Sequence, residues 1–165
     1  MNDHGVVSIS CDESEKKPKT IPNKSGVYCL RYLMKNHKPK HFKRILDNID
    51  KEGILYIGCT KDLKKRIDAL ADQLCKGSGN HTASWTYDLY FKHGKKKLDT
   101  KNMQVLWKRS PGYKNEEKAI LATYCTWFGD MPPFNSSRER IKDDRLLKRV
   151  MKRIRKTSSI YSYFN

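Results

Sequence analysis

The sequence predicts an α+β fold in which a small three-stranded sheet is flanked by helices and followed by a basic C-terminal helix. Apolar residues alternate, with the period of a strand, through two runs that carry Gly26-Val27-Tyr28 and Tyr56-Ile57-Gly58. The second run passes straight into a basic stretch where Leu63, Ile67, Leu70 and Leu74 recur at helical spacing. A third alternating run, Met103 to Lys108, precedes a further helical pattern over 116–128.

Taken in order, residues 1–20 carry four acidic and three basic residues with little periodic apolar content, and are expected to be a disordered lead-in. Ile21-Pro22-Asn23-Lys24-Ser25 is a turn that opens the first strand, about 26–33, with Tyr28, Leu30 and Tyr32 on one face. Phe42, Ile45, Leu46 and Ile49 stand at helical spacing and predict a short inserted helix. Gly53 restarts extended structure to about Cys59, with Ile54, Tyr56 and Gly58 expected on one face. If the two strands pair, their tyrosines converge.

Thr60 is a cap for the next helix, with Asp62 in its first turn. Lys61, Lys64 and Lys65 point outward there, and Arg66 borders the apolar stripe, so its stem packs while its guanidinium reaches a cleft. Gly77-Ser78-Gly79-Asn80 breaks that helix. Residues 81–93, with Trp85, Tyr87 and Tyr90, are expected to be helical, and 92–100 to be a basic loop.

After the third strand, Ser110-Pro111-Gly112 turns the chain, Asn115 is the expected cap, and Glu117, Ile120, Leu121, Tyr124 and Phe128 share a face. Glu117 thus heads a buried stripe, a costly place for a carboxylate without a partner or a metal. Gly129 ends the helix and Met131-Pro132-Pro133-Phe134-Asn135 crosses back over the core. Ser136-x-x-Glu139 is a capping box for a last helix over about 137–156, whose Leu147, Val150, Met151 and Ile154 form a narrow apolar stripe. Residues 1–20 (lead-in), 21–136 (one compact domain) and 137–165 (basic helical extension) are the expected divisions.

The 165 residues hold 35 Lys and Arg against 18 Asp and Glu, a net charge of +17, so a polyanionic partner is expected. Residues from 136 onward carry +7 of it, on a helix whose outer face is a candidate phosphate rail. No apolar run approaches the roughly 20 residues of a bilayer span, so nucleic acid is preferred over membrane and an intracellular (cytoplasmic or nuclear) protein is expected. Cys11, Cys29, Cys59, Cys75 and Cys125 are scattered without a C-x-x-C pair, which argues for free thiols rather than disulfides or zinc.

As an ordered set, Gly26-Val27-Tyr28, Leu55-Tyr56-Ile57-Gly58, Arg66 ten residues after Tyr56, Glu117-Lys118-Ala119-Ile120-Leu121 and Phe134-Asn135 resembles the GIY-YIG nuclease family over about residues 25–136. The chain departs from it in its longer insertion, 34–52, and in having Leu70 where many members have histidine; His81 resembles the histidine of phage intron homing enzymes. The resemblance implies a small three-stranded antiparallel sheet flanked by helices and a metal-dependent endonuclease acting on DNA. Glu117 would bind one Mg²⁺ or Mn²⁺, with Glu116 the other choice, and Arg66 would hold the scissile phosphate. Tyr28 would act as base, with Tyr56 in support; His81 would assist proton transfer or bind phosphate, and Asn135 would fix the site loop. An alignment counted back from Asn135 puts Thr123 in the glutamate slot, and the alternative is then an inactive nucleic-acid-binding module of the same fold. A basic RNA-binding protein rests on charge alone.

Overall fold

The structure, a computed structural model, describes residues 3–11, 21–76, 86–87, 98–136, 144–157 and 159–164. The strands are β1 (His4–Ser8), β2 (Gly26–Tyr32), β3 (Phe42–Lys43), β4 (Ile49–Asp50), β5 (Ile54–Thr60) and β6 (Met103–Arg109). The α-helices are α1 (Leu63–Lys76), α2 (Tyr113–Phe128), α3 (Asp144–Thr157) and α4 (Tyr161–Phe164), and the architecture is α+β. One antiparallel sheet has the order β1-β6-β2-β5, and β3 and β4 form a separate hairpin.

Helices cover both faces of this sheet, so β2 in its interior is apolar on both sides. On one face Tyr28, Leu30 and Tyr32 meet Met103, Val105 and Trp107 beneath the α1 stripe of Leu63, Ile67, Leu70 and Leu74. Each of those four is 2% exposed or less, a burial worth about 2 kcal/mol per side chain. On the other face Val27, Cys29, Ile57 and Leu106 meet Ala119, Ile120 and Tyr124 of α2, with Val150, Ile154, Tyr163 and Phe164 of the last two helices. The C-terminal basic segment therefore completes the second core.

The sheet has four strands rather than the three expected, because part of the N-terminal segment pairs. β1 lies along β6, Gly5 opposite Trp107, where a Cβ would come within 2.8 Å of the indole. Two valines were too little to signal a strand, yet β6 offers them a free edge. Just beyond β1, Cys11 is bonded to Cys75 in the last turn of α1 with Cα atoms 5.2 Å apart, so these two are not the thiols expected; Cys29, Cys59 and Cys125 remain thiols.

The inserted helix is also corrected. Residues 42–50 form the β3–β4 hairpin, whose turn puts Asp47 in the left-handed region at φ 58°. Ile45, Leu46 and Ile49 are exposed, so no core surface holds them as one helical face. The buried Asp50 carboxylate accepts the N–H groups of Glu52, Gly53 and Ile54 and the Tyr124 hydroxyl, which fixes the extended exit into β5.

Leu30 pairs with Tyr56 and Arg31 with Ile54, leaving Leu55 as a bulge. Leu55 and Tyr56 therefore both turn toward α1, whereas Ile54 packs on the opposite face instead of sharing that of Tyr56. The caps shift as well. Asp62, not Thr60, caps α1 by accepting the Lys65 N–H at 3.0 Å, and Thr60 Oγ1 accepts the Asp62 N–H. α2 begins at Tyr113 behind Gly112, so Asn115 lies inside its first turn, and Gly129 closes it at φ 80°.

Of the expected 81–93 helix only Thr86 and Tyr87 are described, and Tyr87 packs edge-on against Phe134. His81, Trp85, Tyr90, Lys95 to Lys97, residues 12–20, Glu139 and the start of the last helix, and the side chain of Leu147 lie outside the described residues. Among the described residues, no helix is long and apolar enough to cross a membrane.

Candidate active site

Antiparallel pairing sets Tyr28 of β2 directly opposite Gly58 of β5, two residues beyond Tyr56 on the same face. The glycine makes the meeting of the two rings possible: a Cβ on Gly58 would lie 2.8 Å from the Tyr28 hydroxyl and 2.5 Å from Tyr56 Cε1. With that space open, the ring centroids are 5.9 Å apart and the two hydroxyls are hydrogen-bonded to each other. Tyr28 is 1% exposed and Tyr56 half-buried, so Tyr56 is the more exposed of the two phenols.

Burial raises both phenols. For Tyr28 the neighbouring Tyr56 adds to the effect and its pKa lies well above the ordinary value. For Tyr56 the Glu117 carboxylate adds to burial, while the bond with Tyr28 and the charge of Arg66 oppose it.

Arg66 is exposed on α1, beside the buried Ile67, where the stripe meets solvent. Its charge acts on Tyr28, Tyr56 and Cys59 together. Glu117, half-buried in the second turn of α2, acts on the same three groups from the other side of the sheet. The charges of Arg66 and Glu117 thus both reach the two tyrosines near β5, although the four residues are scattered over 90 residues of sequence.

The three residues considered for the glutamate position point in different directions. Glu117 Oε2 accepts the Cys59 thiol at 3.0 Å. Glu116 is turned to α4, where it accepts the Tyr163 hydroxyl. Thr123 is buried, its hydroxyl donating back to the Ala119 carbonyl at 2.8 Å. Glu116 and Glu117 face apart because successive residues are rotated by about 100°, and Thr123 stands six residues further along the same helix.

Asn135 acts on the backbone of β5. Its Oδ1 accepts the Ile57 N–H at 3.0 Å and its Nδ2 donates to the Ile57 carbonyl at 2.8 Å, while the Phe134 N–H reaches the Leu55 carbonyl. The open edge of β5 is thereby paired where it carries Tyr56 and Gly58. His81 lies outside the described residues.

Two neighbours escaped the sequence reading. Cys59 looked like a packing residue, but it bonds to Glu117, and burial followed by that bond pushes its pKa up so that it stays a thiol. Lys114, exposed in the first turn of α2, places a further charge near Cys59. The faint signal for both was position, since Cys59 follows Gly58 and Lys114 precedes Glu117 by three residues.

Among the described residues no group of three or more His, Cys, Asp and Glu gathers to hold a metal. The cluster offers one carboxylate, two phenols and a guanidinium. Chemically it can bind an anion at Arg66 and present Tyr56 to water beside it. Comparison with known proteins returns nothing: no family model matches the chain, and neither a curated protein nor a solved structure does.

Proposed function

We propose that the chain is a GIY-YIG-type endonuclease that hydrolyses phosphodiester bonds in DNA. The observation that carries this reading is the convergence of Tyr28, Tyr56, Arg66 and Glu117 on common neighbours at one sheet edge. Arg66 binds the scissile phosphate, its planar fork matching two phosphoryl oxygens. Tyr56, the more exposed phenol, acts as its phenolate and takes the proton of the attacking water to become the phenol, and the Tyr28 hydroxyl stabilises that phenolate beforehand by donating to it. These roles reverse the order assigned from sequence, because a phenol that is 1% exposed has no access to water. Asn135 positions β5 by its two bonds to Ile57.

A single carboxylate fits Mg²⁺ or Mn²⁺, hard ions that take few protein oxygens and complete their shells with water and phosphate. Glu117 would hold the ion, which when bound neutralises charge on the phosphoryl oxygens. The inactive-module alternative requires Thr123 in place of Glu117, and Thr123 is buried with its hydroxyl committed to its own helix.

Supercoiled plasmid incubated with the protein tests the reading. Nicking with Mg²⁺, none with EDTA, and loss of cutting by at least about 100-fold in Arg66→Ala with DNA binding retained are expected. An Arg66→Ala protein that cuts at the wild-type rate removes the phosphate role.

A further inference from the structure

We propose that the β3–β4 turn is a wedge for duplex DNA, with Ile45 and Leu46 entering the base stack while the surrounding lysines hold the phosphates. The proposal rests on the DNA reading above and adds how the duplex is gripped. Ile45 is 74% exposed, Leu46 62% and Ile49 49%, on the turn and the strand that leaves it. Single exposed apolar residues are ordinary on protein surfaces; adjacent ones at the tip of a braced hairpin are a different matter.

The bracing is specific. Within the turn the Arg44 N–H donates to the Asn48 carbonyl at 2.9 Å, and the Asp47 N–H to that of Arg44 at 3.1 Å. At its base Arg44 pairs with Asp130 at 2.8 Å, their side chains 9% and 21% exposed, and Asn48 Nδ2 donates to the Trp127 carbonyl. Leu46 leans on Gly129, where a Cβ would lie 2.7 Å from its Cδ1. Beside the tip a cleft of about 470 Å³ opens between Ile49, Lys51, Trp127 and Phe128.

Charge decides the class of partner. Lys35, Lys38, Lys40, Lys43 and Lys51 stand on this insertion, and its acids are mostly committed inward: Asp50 to its own backbone, Glu52 to the N–H groups of Ile160 and Tyr161. Asp47 alone faces outward, bridged to Lys43. Lys43 in β3 and Lys51 at the cleft flank the apolar tip, which suits a polyanion, and isoleucine and leucine are among the side chains that wedge between base steps and kink a duplex. Ten residues of α2 separate Glu117 from Trp127, roughly 15 Å or about four base steps. A duplex bound at Arg66 and Glu117 spans that distance.

Energy transfer between the labelled ends of a short duplex bound to the full-length protein tests the wedge, with wild type, Ile45→Ser, Ile45→Ser/Leu46→Ser and Lys43→Ala/Lys51→Ala compared. Wild type should bend the DNA. The serine variants should bind about tenfold more weakly with the bend reduced or lost and the salt dependence unchanged. The lysine variant should lose roughly two from the slope of log affinity against log salt. Ile45→Ser, changed at the most exposed position, guards against misfolding. A double serine variant that bends DNA as wild type does overturns the wedge, as does one that keeps the bend but loses self-association, which would assign the tip to a protein partner. Wild type that cuts DNA without bending it removes the wedge alone, whereas wild type that does not bind DNA removes the nuclease reading too.

Discussion

Tyr28 and Tyr56 share a hydrogen bond, and their unequal exposure separates the two phenols chemically. Once the more exposed Tyr56 is the phenolate, the Tyr28 hydroxyl can only donate to it, which favours that phenolate and disfavours loss of the Tyr28 proton. Tyr56→Phe should therefore slow single-turnover cleavage by about 100-fold or more, and Tyr28→Phe by only about tenfold. Burial holds the Tyr56 pKa above its ordinary value of about 10. Over pH 7–9 the phenolate is then a minor species that grows about tenfold per pH unit, and the logarithm of the rate should climb with a slope near one, a slope that Tyr56→Phe removes. A Tyr28→Phe protein more impaired than Tyr56→Phe would reverse the assignment. At this scale motif spacing singled out Tyr28, Tyr56, Arg66, Glu117 and Asn135 as candidates. It could not reveal the Cys59–Glu117 bond, because its partners are 58 residues apart and a thiol in a strand resembles any small apolar residue.

Elements were legible where a long periodic pattern met a core. The α1 stripe repeats over a dozen residues and lands on the sheet as expected. Phe42, Ile45, Leu46 and Ile49 span only eight residues, a length at which helical spacing also fits a hairpin whose turn meets solvent. β1 and the Cys11–Cys75 bond were hidden for a related reason: each depends on a partner far along the chain. That disulfide joins residues 64 apart and constrains the unfolded chain by roughly 4 kcal/mol. Cys11→Ser/Cys75→Ser should lower the urea midpoint accordingly, and an unchanged midpoint would deny the bond a stabilising role.

Glu52 supplies a pH-dependent tie between the insertion and the last helix, accepting the Ile160 and Tyr161 N–H groups at 3.0 Å each. Burial raises its pKa. The folded chain then retains a proton that the unfolded chain releases above about pH 4.3, so this group's contribution to stability falls as pH climbs through the folded value. Glu52→Gln should remove that slope in urea titrations at successive pH values. Parallel curves for wild type and variant would contradict it.

Across the whole molecule the surplus of 35 basic over 18 acidic residues rests on elements that also build the fold. α3 buries Val150 and Ile154 in the second core while exposing Lys148, Arg149, Lys152, Arg153 and Lys156. One helix thus closes the protein and keeps a row of cations exposed, where composition alone suggested an appendage. Between the two layers, at the β5 edge, α1 contributes Arg66 and α2 contributes Glu117. Replacing Glu117 by glutamine keeps its size and removes its charge. Plasmid cleavage by Glu117→Gln with Mg²⁺ should fall at least about 100-fold while DNA binding persists; cleavage at the wild-type rate would contradict the account.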